Sequence, residues 1–161
     1  MEKAMKAGKD SMSSQHYRRL ILMILLSFVA MYCLMYAMVN VFANVYPSLN
    51  QLYMAGLMTA PMAIVEIVVM GAMYGNKKLN AVLVAGFALA GVAFWLAIRQ
   101  QAAISDRQFL KSMIPHHAGA ILMCQQASLQ DPALKELCTS IISSQQSEID
   151  LMKAKLQTTG D

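Results

Sequence analysis

The stretch Phe109 to Cys124 reads F-L-K-S-M-I-P-H-H-A-G-A-I-L-M-C and packs Met113, the adjacent pair His116 and His117, Met123 and Cys124 into a few helical turns. Thioether, imidazole and thiol groups are soft donors that favour copper(I) and related thiophilic ions over hard cations. At about 100° per residue these side chains fall within an arc of roughly 120°, so they share one helix face. Downstream, Cys138, Gln145, Glu148 and Met152 fall within roughly 80° of one another, a stripe that Leu134 and Ile141 continue. Folded as a hairpin, the two helices set these faces against each other. The roles expected are thioether ligation by Met113, Met123 and Met152, imidazole ligation by His116, His117 or both, and orientation of the imidazoles by Glu148 and Gln145.

A plain packing reading competes with this one, since methionine at helical spacing is an ordinary core filler and any one of these residues taken singly is better explained so. Five soft groups on one face shift the balance, because a purely structural face is more cheaply built of Leu and Ile. Zinc fits less well, thioethers being poor zinc ligands. A di-iron oxidase needs several inward glutamates, and this region offers only Glu136 and Glu148. No glycine-rich phosphate loop and no Ser-His-Asp order is present, so no enzyme is expected.

The rest of the chain reads as the means of holding this face at a membrane. With 57% hydrophobic and 14% charged residues in 161, the chain has more apolar matter than a soluble core of that size requires. Residues 1–15 have no sustained apolar period and are expected to be a poorly ordered tail. Apolar spans are predicted from Leu20 to about Val45, Leu52 to Tyr74 and Leu79 to Ile98, each long enough to cross a bilayer of about 30 Å as a helix. The first is too long for a signal peptide and is taken as a retained anchor. Lys and Arg gather before the first span and at Lys77-Lys78, which predicts a cytoplasmic N-terminus and an extracytoplasmic C-terminal region, periplasmic if the cell has two membranes. The expected setting is a bacterial inner or plasma membrane. No basic helix interleaved with aromatics is present, and nucleic acid is set aside.

Inside the membrane, Pro61 should kink the second span, and Glu66 near mid-bilayer needs a partner, for which Asn40 or Asn44 is expected. Met54, Met58, Met62 and Met70 repeat with Glu66 every four residues, a ladder read as packing around that carboxylate ahead of a metal relay. The third span carries Ala81, Ala85, Gly86, Ala90, Gly91, Ala93 and Ala97, small residues that let another helix approach. Beyond Arg99 a capping box at Ser105 and Gln108 predicts a helix over 106–129 bent at Pro115. Asp131 and Pro132 begin a second helix reaching about Leu156. Cys124 and Cys138 lie at similar distances from the turn and could be unreacted thiols, a disulfide or a shared metal site. The unreacted pair is ranked first, since sequence cannot show the Cα separation a disulfide needs. Cys33 reads as a small buried hydrophobe.

Met113-Ile114-Pro115-His116-His117, then Ala120-Ile121-Leu122-Met123, and Gln145-Gln146-Ser147-Glu148-Ile149-Asp150-Leu151-Met152 resemble the hallmark helices of the domain of unknown function 305 family. The match runs from about Ser105 to Leu156. The resemblance implies a ferritin-like helical bundle in which Met and His bind copper or silver outside the cytoplasm, in some members for metal tolerance. It carries that role onto Met113, His116, His117, Met123 and Met152.

The sequence thus predicts an all-α chain with a basic tail (1–19), three transmembrane helices (20–98) and an extracytoplasmic two-helix hairpin (99–161). The function expected is that of a membrane-anchored copper(I) or silver-binding protein for scavenging, chaperoning or tolerance. The rival is an accessory membrane subunit whose hairpin docks on a membrane or periplasmic protein partner without metal. A hairpin of about 50 residues buries little core alone, so pairing between chains through the hairpin and the third span is expected.

Overall fold

Three long apolar runs and two amphipathic ones underlie the five α-helices of the described residues. The computed structural model describes the backbone of residues 2–159 and the side chains of residues 15–159. The α-helices are α1 (Glu2–Leu34), α2 (Leu49–Val69), α3 (Lys77–Arg99), α4 (Asp106–Gln126) and α5 (Pro132–Thr158), with one 3-10 turn at Phe42–Asn44. No strand occurs among the described residues. Gln15–Leu34, Leu49–Val69 and Lys77–Arg99 are long and apolar enough to cross a membrane. Residues 2–15, expected as a tail, continue α1. The run Glu2-Lys3-Ala4-Met5-Lys6-Ala7 consists of strong helix formers, which outweigh its lack of apolar periodicity.

The chain divides into two units. One comprises the chain up to Tyr32 with Tyr53–Gln100, the other Cys33–Leu52 with Gln101 to the C-terminus. In the first unit burial is confined largely to small side chains on α2, namely Ala55, Gly56, Thr59, Ala60 and Ala63 with Ile67, while no residue of α3 is buried. Two close approaches explain the small residues. A Cβ on Gly56 would come within 2.5 Å of the Phe94 ring, and one on Gly91 would lie 3.4 Å from the Ala60 Cβ. Gly91 therefore serves a contact within the chain, whereas nothing stands within 4 Å of a Cβ on Gly86. Glu66 does find a partner, but not Asn40 or Asn44. The Tyr74 hydroxyl donates to its Oε1 at 3.3 Å, and Asn44 donates instead to Asn40 at 2.8 Å in the other unit. The methionine ladder of α2 faces outward in part, with Met54, Met58 and Met70 exposed.

The second unit contains a segment that sequence reasoning assigned to the membrane. The first span was predicted to reach Val45, yet α1 ends at Leu34. Beyond it the Asn40 side chain accepts from the Val41 amide at 2.9 Å and from Asn44, a local pairing that competes with helix continuation. The freed segment packs on the hairpin: Val39 and Tyr46 lie against the core formed by Ile114, Ala118, Ile121, Ile149 and Met152. Gln108 Oε1 accepts from the Leu49 amide at 3.0 Å, and Asn50 Nδ2 donates to Ser112 Oγ at 3.3 Å. Gln108 thereby fulfils only half of the predicted capping box. Its amide meets Ser105 Oγ at 3.4 Å, but its side chain is committed to Leu49. The Asp131 cap forms as predicted, accepting from Ala133 at 2.8 Å, with Pro132 in the first turn of α5. At the far end of α5, Arg107 Nη1 donates to the carbonyls of Leu156 and Thr159 at 3.2 and 3.1 Å, satisfying groups that a helix terminus leaves open.

Candidate metal-binding face

Two observed contacts set the register of the α4–α5 hairpin. Cys124 and Cys138 form a disulfide with a Cα separation of 5.2 Å, and His117 Nδ1 lies 2.9 Å from Glu148 Oε2. Between these pairs the chain advances seven residues on α4 and retreats ten on α5, as antiparallel helices must within a turn. Continuing one further turn sets Met113 level with Met152, and both belong to the same apolar cluster, Met152 buried and Met113 on its edge. The sequence-predicted residues Met113, His117, Glu148 and Met152 are thus brought together in two successive layers.

The others are not. Helical phase explains why, because the buried sector of α4 is centred on Ile114, Ala118 and Ile121, and only residues on its flank can face α5. Met113, His117 and Cys124 lie on that flank. His116 and Met123 lie farther round and are exposed, Met123 at 53%. The face of five soft groups therefore divides into an inward three and an outward two. Cys124 and Cys138, ranked first as unreacted thiols, are joined, and a disulfide sulfur is no longer a thiolate donor. Cys33, expected to be buried, is the free cysteine and is exposed.

His117 is the group with unspent bonding capacity. Its Nδ1 is buried and has no hydrogen-bond partner, because the approach to Glu148 is close without lying along the ring N–H direction. A carboxylate beside Nδ1 is the arrangement by which a metal-binding imidazole is oriented, with Nε2 as the ligating atom. Gln145 Nε2 approaches the same Glu148 oxygen at 3.5 Å, so a Gln145–Glu148–His117 relay of polar contacts runs across the hairpin. Burial pushes the His117 pKa below its ordinary value. Glu148 opposes that shift, and His116, with its ring centroid 6.0 Å away, reinforces it. The net shift favours the neutral imidazole.

Among the described residues no three His, Cys, Asp or Glu side chains gather to hold an ion. The other donors on this flank are methionine thioethers, a group type that suits soft ions better than zinc, calcium or magnesium. Sequence reasoning placed Gln108 in a capping box and did not find that it and Ser112 fix α4 against the segment following α1. Their polar side chains carry no pattern distinguishing them from solvent-facing ones.

The domain of unknown function DUF305 matches residues 89–156. Uncharacterized protein L153 of Acanthamoeba polyphaga mimivirus is 36% identical over 143 residues, 85% of this chain and 90% of that protein. That span is longer than the hairpin and takes in helices long and apolar enough to cross a membrane. No solved structure matches the chain.

Proposed function

Since this chain belongs to the DUF305 family, we propose that it is a membrane-anchored protein whose hairpin binds copper(I) or silver(I) through Met113, His117 and Met152, with Glu148 and Gln145 orienting the imidazole. The observation that carries the reading is the placing of His117, its Nδ1 2.9 Å from Glu148 Oε2, one turn from the Met113–Met152 layer. A carboxylate that engages one ring nitrogen orients the imidazole and leaves the other nitrogen for an ion. The role is scavenging, delivery or tolerance, for which binding and release suffice and no redox turnover is needed.

The hairpin is placed outside the cytoplasm on two supports. Arg18 and Arg19 lie near the start of the first apolar helix, and Lys77 and Lys78 begin the third after the turn from the second, the pattern of cytoplasmic ends. The Cys124–Cys138 disulfide belongs to an oxidising compartment. The membrane is read as a bacterial inner or plasma membrane with the N-terminus cytoplasmic.

The test is a titration of copper(I) into the full chain in detergent against a competing chelator, repeated with His117→Ala and Met113→Leu. Each substitution is expected to weaken binding about tenfold or more, and Glu148→Gln about tenfold, the range typical of groups that orient a ligand. Unchanged affinity in His117→Ala and Met113→Leu would remove the assignment and favour the accessory-subunit reading.

A further inference from the structure

The soft groups turned away from α5 need an explanation of their own. Phe109, His116 and Met123 recur every seven residues on α4, on the exposed side of the helix, with Phe109 exposed at 49%. The side of α4 next to this stripe is already covered: a Cβ on Gly119 would stand 3.6 Å from the Met38 carbonyl, and Val39 and Tyr46 lie on the core. On α5, Leu137, Ser144 and Leu151 repeat with the same spacing, and both leucines are more than half exposed. By helical phase this second stripe lies on the Glu148 side of α5. The two stripes therefore flank the His117–Glu148 contact on one face of the hairpin. Seven-residue repeats of this kind are what helices present to other helices.

We propose that this face docks a second copy of the chain about a two-fold axis that brings the two His116 side chains together as a bridging site for a soft metal ion. The proposal rests on the soft-metal reading above and adds a site that one chain cannot make. A second copy is favoured over another protein because the stripe is complementary to itself. Phe109 and Met123 stand at equal distances from His116, so parallel pairing sets like against like, and antiparallel pairing sets each Phe109 ring against a Met123 thioether, a favourable sulfur–aromatic contact. In either sense His116 meets its own counterpart. No lysine, arginine, aspartate or glutamate stands at the six stripe positions, and Glu148 between them is engaged by His117 of its own chain. Docking of this kind joins two hairpins into a four-helix arrangement and covers side chains that a short two-helix unit leaves in water.

Native mass spectrometry of the full chain in detergent, in a Cys33→Ala background so that the exposed thiol does not compete, tests this with silver(I), which needs no reductant and spares the disulfide. Silver is expected to convert the chain to dimers carrying one ion more than the two held within the hairpins. His116→Ala should remove that extra ion and the silver-dependent dimer while each chain keeps its own ion. Phe109→Ser should weaken the dimer at least severalfold with the ligands intact. Silver-loaded wild-type chains that stay monomeric, or dimers unchanged in His116→Ala, overturn the proposal while leaving the soft-metal reading standing. Absence of silver binding altogether overturns both.

Discussion

The two units of this chain are stabilised by different means. In the membrane-type unit large side chains point outward, with Val82 67% and Leu89 71% exposed on α3, and the inward positions of α2 are mostly Ala, Gly and Thr. That is the logic of helices in lipid, where apolar surface need not be hidden and contact depends on close backbone approach. In the hairpin unit the order is reversed. Ile114, Ile121 and Ile149 are fully buried, polar caps close both helices, and a disulfide joins them. The methionines differ accordingly: Met54 and Met58 on α2 are exposed, whereas Met113 and Met152 are held in the hairpin core beside the His117 layer.

Substitution should separate the units most sharply at their cores. Ile149→Ala removes a side chain with no exposure and is expected to destabilise the hairpin unit by about 2–5 kcal/mol. Leu89→Ala leaves no cavity and should stay within about 0.5 kcal/mol. Thermal unfolding in detergent, followed by hydrogen exchange of α5 and α3 amides, reads both, and equal effects would erase the distinction. Replacing Cys124 and Cys138 together by Ser should cost about 3 kcal/mol, the closure entropy of a loop of this length. The loss should be confined to α4 and α5. Asp131→Ala deletes the α5 cap and should cost about 1 kcal/mol, visible as faster exchange in the first turn of that helix.

Acidification gives the smallest effect and a definite sign. The His117 pKa is lowered in the folded chain, so the unfolded chain binds that proton at higher pH. The contribution is complete above about pH 6.5, the ordinary histidine value, and is lost as pH falls from there through the depressed folded value. The hairpin unit of the wild type should therefore lose more stability on acidification than that of His117→Gln. Parallel curves would show that His117 is not held neutral by burial.

Much of this was legible in the sequence because helical periodicity is local. The five helices, the Asp131 cap and the sharing of one flank by Met113 and His117 all follow from spacing alone. The end of α1 was not legible. Residues 35–45 are as apolar as a membrane span, and only their packing as Val39 and Tyr46 on the hairpin core, with the Asn40–Asn44 pairing, takes them out of the helix. Hydropathy cannot distinguish burial in lipid from burial under a neighbouring helix. The outward turn of His116 and Met123 was hidden for a related reason. An arc of about 120° is one face on a helical wheel, but half of it clears the partner once the buried sector is fixed by Ile114, Ala118 and Ile121. The disulfide needed a Cα separation that no spacing supplies.

Whether a soft ion is held by imidazole and thioether together on the α4–α5 flank is decided by X-ray absorption at the copper edge of the copper(I)-loaded full chain. Both sulfur and nitrogen neighbours are expected, with the nitrogen contribution reduced in His117→Ala and the sulfur contribution reduced in Met113→Leu. A spectrum with no sulfur neighbour, or one unchanged by both substitutions, would contradict that assignment.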